Sequence, residues 1–100
     1  MTSQPLPEPG LPVTLVTAAG CHYCDDAQAT LNGLVRAGAT LALETVDATS
    51  ERGRALLTTH RPPMSPLVLV DGYYFSAGRL PRRKLEALLR NRQAIGASRG

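Results

Sequence analysis

The sequence predicts an α/β domain built on a four-stranded mixed sheet, with its elements in the order β-α-β-α-β-β-α. Short β-branched runs alternate with helical patterns in the first half, which calls for parallel strands joined by a crossover helix. An Asp-Gly pair between two apolar runs indicates an antiparallel hairpin in the second half. The length of 100 residues suits a single domain.

The first strand and helix follow a proline-rich start. Residues 1–11 predict a flexible tail, because proline and glycine disfavour regular structure. Residues 13–17 are β-branched and apolar and predict a buried strand. A helix is predicted from His22 to about Arg36, with Gly38 marking its end. Its apolar residues share one face: Cys24, Ala27, Leu31, Leu34 and Val35.

The next segment predicts a strand, a short helix and an irregular loop. Residues 41–47 alternate between apolar and polar side chains, as a half-buried strand does. Thr49 or Ser50 suits the N-cap of a helix that runs to about His60. Three of its residues are expected to face inward: Ala55, Leu56 and Leu57. The prolines in residues 61–66 exclude regular structure there.

A hairpin and a last helix complete the domain, which is predicted to span residues 12–93. Residues 67–70 and 73–76 are the two hairpin strands, joined at Asp71-Gly72. Pro81 suits the first turn of the last helix, whose buried residues would be Leu85, Leu88 and Leu89. Residues 94–100 predict a second flexible tail.

The charge pattern bears on partners. The net charge is +3, and seven of the eleven basic residues come at or after position 79. They are Arg79, Arg82, Arg83, Lys84, Arg90, Arg92 and Arg99. No aromatic residues are interleaved with them, as stacking on nucleic acid would need. We interpret them as a solvated helix face, and docking of an acidic partner to the basic last helix stays open as the alternative. Nucleic acid is not an expected partner.

The hydropathy of the chain predicts neither membrane insertion nor export. No apolar run approaches the roughly 20 residues that cross a bilayer. The first residues lack the basic and apolar regions of a signal peptide, so a cytoplasmic location is expected.

The two cysteines carry the chemistry. Cys21 and Cys24 form a C-x-x-C motif between the first predicted strand and the first predicted helix. The reactive species in disulfide exchange is the thiolate, and the free N–H groups of a helix N-terminus favour it. Cys21 is therefore the predicted attacking cysteine, and Cys24 is predicted to resolve the mixed disulfide. His22 and Tyr23 between them are candidates for tuning the thiolate and contacting a substrate.

Two other interpretations of the C-x-x-C motif stay open: a zinc site and a pair of structural thiols. Zinc takes four ligands, and the chain offers at most Cys21, Cys24, His22 and His60. Adjacent residues such as Cys21 and His22 rarely bind one metal together, although two chains can each contribute a C-x-x-C pair. The other alternative is a pair of structural thiols. No metal site is predicted.

From residue 13 to about residue 92 the chain resembles the glutaredoxin-like branch of the thioredoxin superfamily. The resemblance rests on the order of several motifs: Cys21-His-Tyr-Cys24 after a strand, Met64-Ser65-Pro66 before a strand, Asp71-Gly72, and Ala77-Gly78 before the last helix. It implies a thioredoxin fold and thiol–disulfide oxidoreductase activity. It also implies that Pro66 is a cis-proline beside Cys21 and that the backbone of Ser65 pairs with a substrate chain.

Some positions depart from the glutathione-using members of that family. Those members usually carry a lysine before the C-x-x-C and aspartates after a late Gly-Gly. Here the corresponding stretches are residues 17–20 and 77–81, which contain neither. Gly78 and Arg79 remain candidate substrate-binding residues, because Arg79 can meet a carboxylate. Leu15 stands where thioredoxins carry a buried aspartate.

The sequence therefore predicts a monomeric oxidoreductase that reduces protein disulfides by dithiol exchange, without strong glutathione binding. Its partners would be a disulfide-containing protein and an electron donor, either a reductase or a low-molecular-weight thiol. No bound cofactor is expected, because the cysteine pair carries the two electrons. Two alternatives remain: a thioredoxin-fold binding module with metal-bound or idle cysteines, and a redox sensor whose oxidation alters docking through residues 73–75.

Overall fold

The computed structural model describes the backbone of residues 10–99 and the side chains of residues 10–91. Its elements follow the predicted order. They are β1 (Leu11–Thr17), α1 (His22–Arg36), β2 (Leu41–Asp47), α2 (Glu51–His60), β3 (Leu67–Val70), β4 (Tyr73–Ala77) and α3 (Arg82–Arg99). The predicted tail over residues 1–9 lies outside the described residues.

The four strands form one mixed sheet in the order β2-β1-β3-β4. β1 runs parallel to β2, as expected for strands joined through α1. β3 is antiparallel to both β1 and β4. The turn between β3 and β4 has positive φ at Asp71 and Gly72, 57° and 85°. This is the backbone that a two-residue hairpin requires, so the prediction from the Asp-Gly pair is confirmed.

A core cluster lies on each face of the sheet. On one face, Leu15 and Val68 pack with Leu31 of α1 and Leu85 of α3. On the other, Val16 and Leu67 pack with the half-buried leucines of α2. Aliphatic side chains fill both clusters almost alone, as the scarcity of aromatic residues requires.

β1 begins before the predicted strand and includes a proline. Leu11 is a strand residue and buried, so the tail predicted through residue 11 is too long by at least that residue. Pro12 is tolerated because its carbonyl accepts from the N–H of Asp71, beyond the end of β3, at 2.8 Å. The backbone nitrogen and carbonyl of one strand residue point to the same neighbouring strand. The nitrogen of Pro12 therefore also faces Asp71, one residue past the last β1–β3 pair, where a missing N–H removes no bond from the ladder itself.

Two helices bury fewer residues than predicted. Val35 is 42% exposed, because Leu34 takes the place against the core in the last turn of α1. Ala55 is exposed while Leu56 and Leu57 are half-buried, since three consecutive helical residues span about 200° and cannot all face inward.

The last helix is longer than predicted and starts one residue later. Arg82 is its first residue, and the carbonyl of Pro81 accepts from the N–H of Leu85 at 3.1 Å. Pro81 therefore caps the helix instead of lying in its first turn. The backbone is helical through Arg99, past residue 93 where the domain was predicted to end, and the flexibility expected of residues 94–100 stays a prediction. Leu85 is buried and Leu88 and Leu89 pack beside it, as predicted.

Candidate active site at the cysteine pair

The cysteine pair lies at the junction between β1 and α1. After Thr17 a three-residue loop leads to Cys21, which is the N-cap of α1 with extended backbone angles. Cys24 lies in the first turn, and the two sulfurs form a disulfide with the Cα atoms 5.2 Å apart. The predicted position of the motif at a strand-to-helix junction is therefore confirmed.

The two sulfurs differ in what surrounds them. Cys24 is only 3% exposed, whereas Cys21 is half-buried. The backbone N–H of Cys24 donates to Sγ of Cys21 at 3.1 Å. A donor aimed at this sulfur and the positive end of the helix both favour negative charge on Cys21. The arrangement can thus hold a thiolate at Cys21, with a protected second sulfur one turn away.

Pro66 and Gly78 lie at the same end of the sheet as the cysteine pair. Leu67 is opposite Val16 on β1 and opposite Ala77 on β4, so Pro66 and Gly78 extend these strands where β1 leaves for the cysteines. The N–H of Gly78 donates to the carbonyl of Pro66 at 3.0 Å, joining the two. The Ser65–Pro66 peptide bond is cis, as the family resemblance implied.

Met64 joins this end of the sheet, although sequence reasoning gave it no role there. A Cβ built on Gly78 would lie 2.6 Å from the sulfur of Met64, so the thioether covers the bare backbone of that glycine. Gly78 also has φ +81°, which other residues rarely adopt. Met64 remains 48% exposed and adds an apolar patch near the disulfide. Its place in the Met-Ser-Pro motif was the one available signal.

The remaining candidate residues are largely on the surface. His22, Tyr23 and Arg79 are exposed, and Ser65 is half-buried next to Pro66. Exposure leaves these side chains accessible to a partner, and their substrate-binding roles stay predictions. His60 ends α2 instead, with its ring centroid 6.4 Å from that of Tyr74.

Below the site the sheet is apolar. Leu15 is fully buried in the core cluster shared by α1 and α3. Its side chain supplies no proton acceptor.

The described part of the chain contains neither a cluster of metal-ligating side chains nor a membrane-spanning helix. No three His, Cys, Asp or Glu side chains there come together in a way that would hold a metal ion. None of the described helices combines the length and apolarity that a membrane crossing needs.

Comparison with known proteins finds similarity in structure but no match to a family model or a curated sequence. No family model and no curated protein sequence matches the chain. Among solved structures, the chain is similar to an uncharacterized thioredoxin-like protein from Clostridium perfringens, with a TM-score of 0.64. The likeness covers 85% of this chain and 72% of that one at 15% sequence identity. The chain therefore has a thioredoxin fold.

Proposed function

We propose that this protein is a thiol–disulfide oxidoreductase that reduces protein disulfides through Cys21 and Cys24. The observation that carries the proposal is the asymmetry of the pair. Cys21 is the accessible sulfur, caps a helix and accepts a hydrogen bond at 3.1 Å, whereas Cys24 is buried one turn behind it. Disulfide exchange needs one sulfur that meets the substrate and a second that only its neighbour can reach.

The first step is attack on the substrate. With both cysteines reduced, the Cys21 thiolate attacks one sulfur of a substrate disulfide. A Cys21–substrate disulfide forms, the substrate S–S bond breaks, and the other substrate sulfur leaves as a thiolate that takes a proton from water. The Cys24 N–H and the helix N-terminus support this step by stabilising the attacking thiolate.

The second step releases the product. Cys24 loses its proton and its thiolate attacks the sulfur of Cys21. The intramolecular disulfide forms, and the second substrate sulfur departs as a thiol. Two electrons have then moved from the protein to the substrate. The fold accommodates the product of this step, because the Cys21–Cys24 disulfide forms across Cα atoms 5.2 Å apart, within the usual range for disulfides.

A reductase or a low-molecular-weight thiol must return two electrons to the pair, and we expect no bound cofactor to take part. We propose that glutathione is a poor donor. The loop before Cys21 contains no cation for a glutathione carboxylate, and no aspartate follows Gly78 to meet its amino group. The expected cytoplasmic location stays a prediction.

Trapping variants test the proposal. Cys24→Ser leaves the attacking sulfur but removes the resolving one. The reduced variant should therefore accumulate a mixed disulfide with a disulfide-containing protein such as insulin. Cys21→Ser is the matched control and should trap none, because its remaining sulfur is buried. Mass spectrometry of both variants measures the adduct. Trapping by Cys21→Ser alone, or by neither variant, would contradict the assignment.

The redox equilibrium of the pair provides a second test. In thiol/disulfide buffers we expect a reversible intramolecular disulfide with a potential of about −200 to −280 mV, as reducing oxidoreductases have. A potential near −120 mV would indicate an oxidant instead. Purified protein that carries stoichiometric zinc and forms no disulfide would replace this proposal with the metal-binding alternative.

A further inference from the structure

A surface groove lies between the edge of the sheet and α3, and the proposed chemistry does not use it. β4 is an edge strand: one side pairs with β3, and the other faces no strand of the sheet. The groove has a volume of about 410 Å³. Its lining is Tyr74 and Phe75 from β4 with Lys84, Ala87, Leu88 and Asn91 from α3.

An irregularity in β4 shapes the floor of this groove. Leu69 is opposite Tyr74 and Val68 is opposite Ser76, so Phe75 is an extra residue in the edge strand. Such a β-bulge re-aims a side chain. Phe75 packs against the core cluster beneath α3 while its ring still lines the groove. The bulge also interrupts the regular edge of β4 between residues 74 and 76, which makes continuous main-chain pairing with an added strand less favourable.

The polar part of the groove is cationic. Nζ of Lys84 lies 5.4 Å from the centroid of the Phe75 ring, which orients the ammonium group over the apolar floor. Helical spacing places Arg83 and Arg90 on the flank of α3 beside Ala87, both exposed. The nearby acid, Glu86, is already bonded to Arg82 at 3.1 Å. This surface therefore presents positive charge beside apolar and aromatic side chains.

These features select one kind of occupant. The groove is open along its length, whereas small-molecule sites enclose most of their ligand. A second copy of this chain would bring the same cations together, which like-charge repulsion opposes. An extended chain with acidic and apolar side chains meets both the charge and the floor. Tyr74, which lines the groove and is 47% exposed, suits such a contact.

We propose that this groove docks an extended acidic segment of a partner protein. An aspartate or glutamate of the segment lies at Lys84, and an apolar side chain of the segment rests on Phe75 and Leu88. The surface is independent of the cysteine pair, and it gives the protein a means of choosing partners besides thiol chemistry.

The test uses the full-length oxidised protein and a displayed library of random octapeptides without cysteine. Omitting cysteine and using oxidised protein exclude mixed disulfides, so the result does not depend on redox activity. Enriched peptides are expected to combine acidic with apolar residues. Amide chemical shifts of the labelled protein should then move at residues 73–75 and 84–91 when an enriched peptide is added.

A matched pair of charge reversals checks the site. Lys84→Glu should weaken binding of the enriched peptides by at least about tenfold. Arg54→Glu makes the same change in net charge on exposed α2, across the sheet, and should leave binding within about twofold. Equal weakening by both variants, enrichment of basic or uncharged peptides, no enrichment, shifts elsewhere on the surface, or self-association through β4 would each overturn the proposal.

Discussion

Two helices begin at the same end of the sheet with the same capping geometry, but one is capped by a cysteine and the other by a serine. α1 follows β1 and is capped by Cys21, whose sulfur accepts from the N–H of Cys24 at 3.1 Å. α2 follows the parallel strand β2 and is capped by Ser50, whose hydroxyl accepts from the N–H of Gly53 at 3.0 Å. In both, the cap bonds to the third residue of the helix.

The difference lies in how firmly each cap is tied to its surroundings. The Ser50 hydroxyl also donates to the carbonyl of Asp47 at 2.6 Å, and Gly53 packs on that same backbone. Cys21 follows a partly exposed loop, and among the described residues its sulfur accepts one hydrogen bond, from Cys24, to which it is also joined by the disulfide. In the reduced protein that the proposed function requires, the Cys21 cap therefore has fewer ties to release than the Ser50 cap, which is held from both sides.

The largest effect should come from giving α1 the cap of α2. Cys21→Ser keeps a good N-cap but removes the nucleophile, so reduction of insulin should fall to the rate of the buffer alone. Serine caps helices better than cysteine, so the stability of this variant should match or exceed that of reduced wild-type protein. Activity assays and urea unfolding measure the two effects. A clear loss of stability would show that the sulfur has a structural role the comparison misses.

Gly53→Ala should break the packing that fixes α2. An added Cβ would overlap the carbonyl of Asp47, lying 2.9 Å even from its carbon atom. Moving two backbone segments apart should cost about 1 to 3 kcal/mol of unfolding free energy. Urea unfolding measures this change.

Gly33 supplies the matched control for that substitution. It lies in α1 with nothing within 4 Å of an added Cβ, so Gly33→Ala should stabilise the protein by about 0.5 to 1 kcal/mol. Equal effects at the two positions would mean that helix propensity, not packing, decides both.

Removing the cap of α2 should have a moderate effect. Ser50→Ala deletes the acceptor for Gly53 and the donor to Asp47, at a cost of about 1 kcal/mol. Ser50→Thr keeps the hydroxyl and should recover most of the loss. Because α2 packs on the opposite face of the sheet from α1, thiol exchange rates should be unchanged. A slower exchange in Ser50→Ala would show that the two caps are coupled.

The smallest effect concerns the carboxyl group of Asp47, three residues before Ser50. The hydroxyl and the N–H of Thr49 both donate to Asp47, at 2.6 and 2.7 Å, and lower the pKa of its carboxyl group. A lowered pKa contributes stability above the unfolded-state value, and this contribution is lost as pH falls through the folded-state value. The stability advantage of wild type over Asp47→Asn should therefore shrink below about pH 4. An advantage that stays constant down to pH 2 would refute the link.

Local signals in the sequence predicted most of the fold. The alternation at 41–47 and the run at 67–70 gave the bounds of β2 and β3, and the Asp-Gly pair gave the hairpin. Local rules failed where tertiary context decides. Pro12 lies in a central strand because its missing N–H faces the end of the ladder, which only the register with β3 reveals. Gly53 weakens a helix by propensity, yet the packing of α2 requires it.

The candidate site was predictable to the extent that it depends on spacing. A spacing of three positions from one cysteine to the next, at a helix start, determines which sulfur caps the helix and which cysteine is buried, and the structure agrees. The contact between Met64 and Gly78 was not predictable, because it joins two loops that are brought together only when β3 and β4 pair. The groove at Phe75 was missed for a similar reason, since a bulge changes which face a side chain occupies.

The tight turn at Asp71-Gly72 has a consequence for the order of assembly. β3 and β4 pair by closing a loop of two residues. β1 pairs with β3 only when residues far apart in the sequence, such as Val13 and Val70, come together. Chain entropy makes the short closure far less costly than the long one. The hairpin can therefore form early and offer a template on which β1 docks.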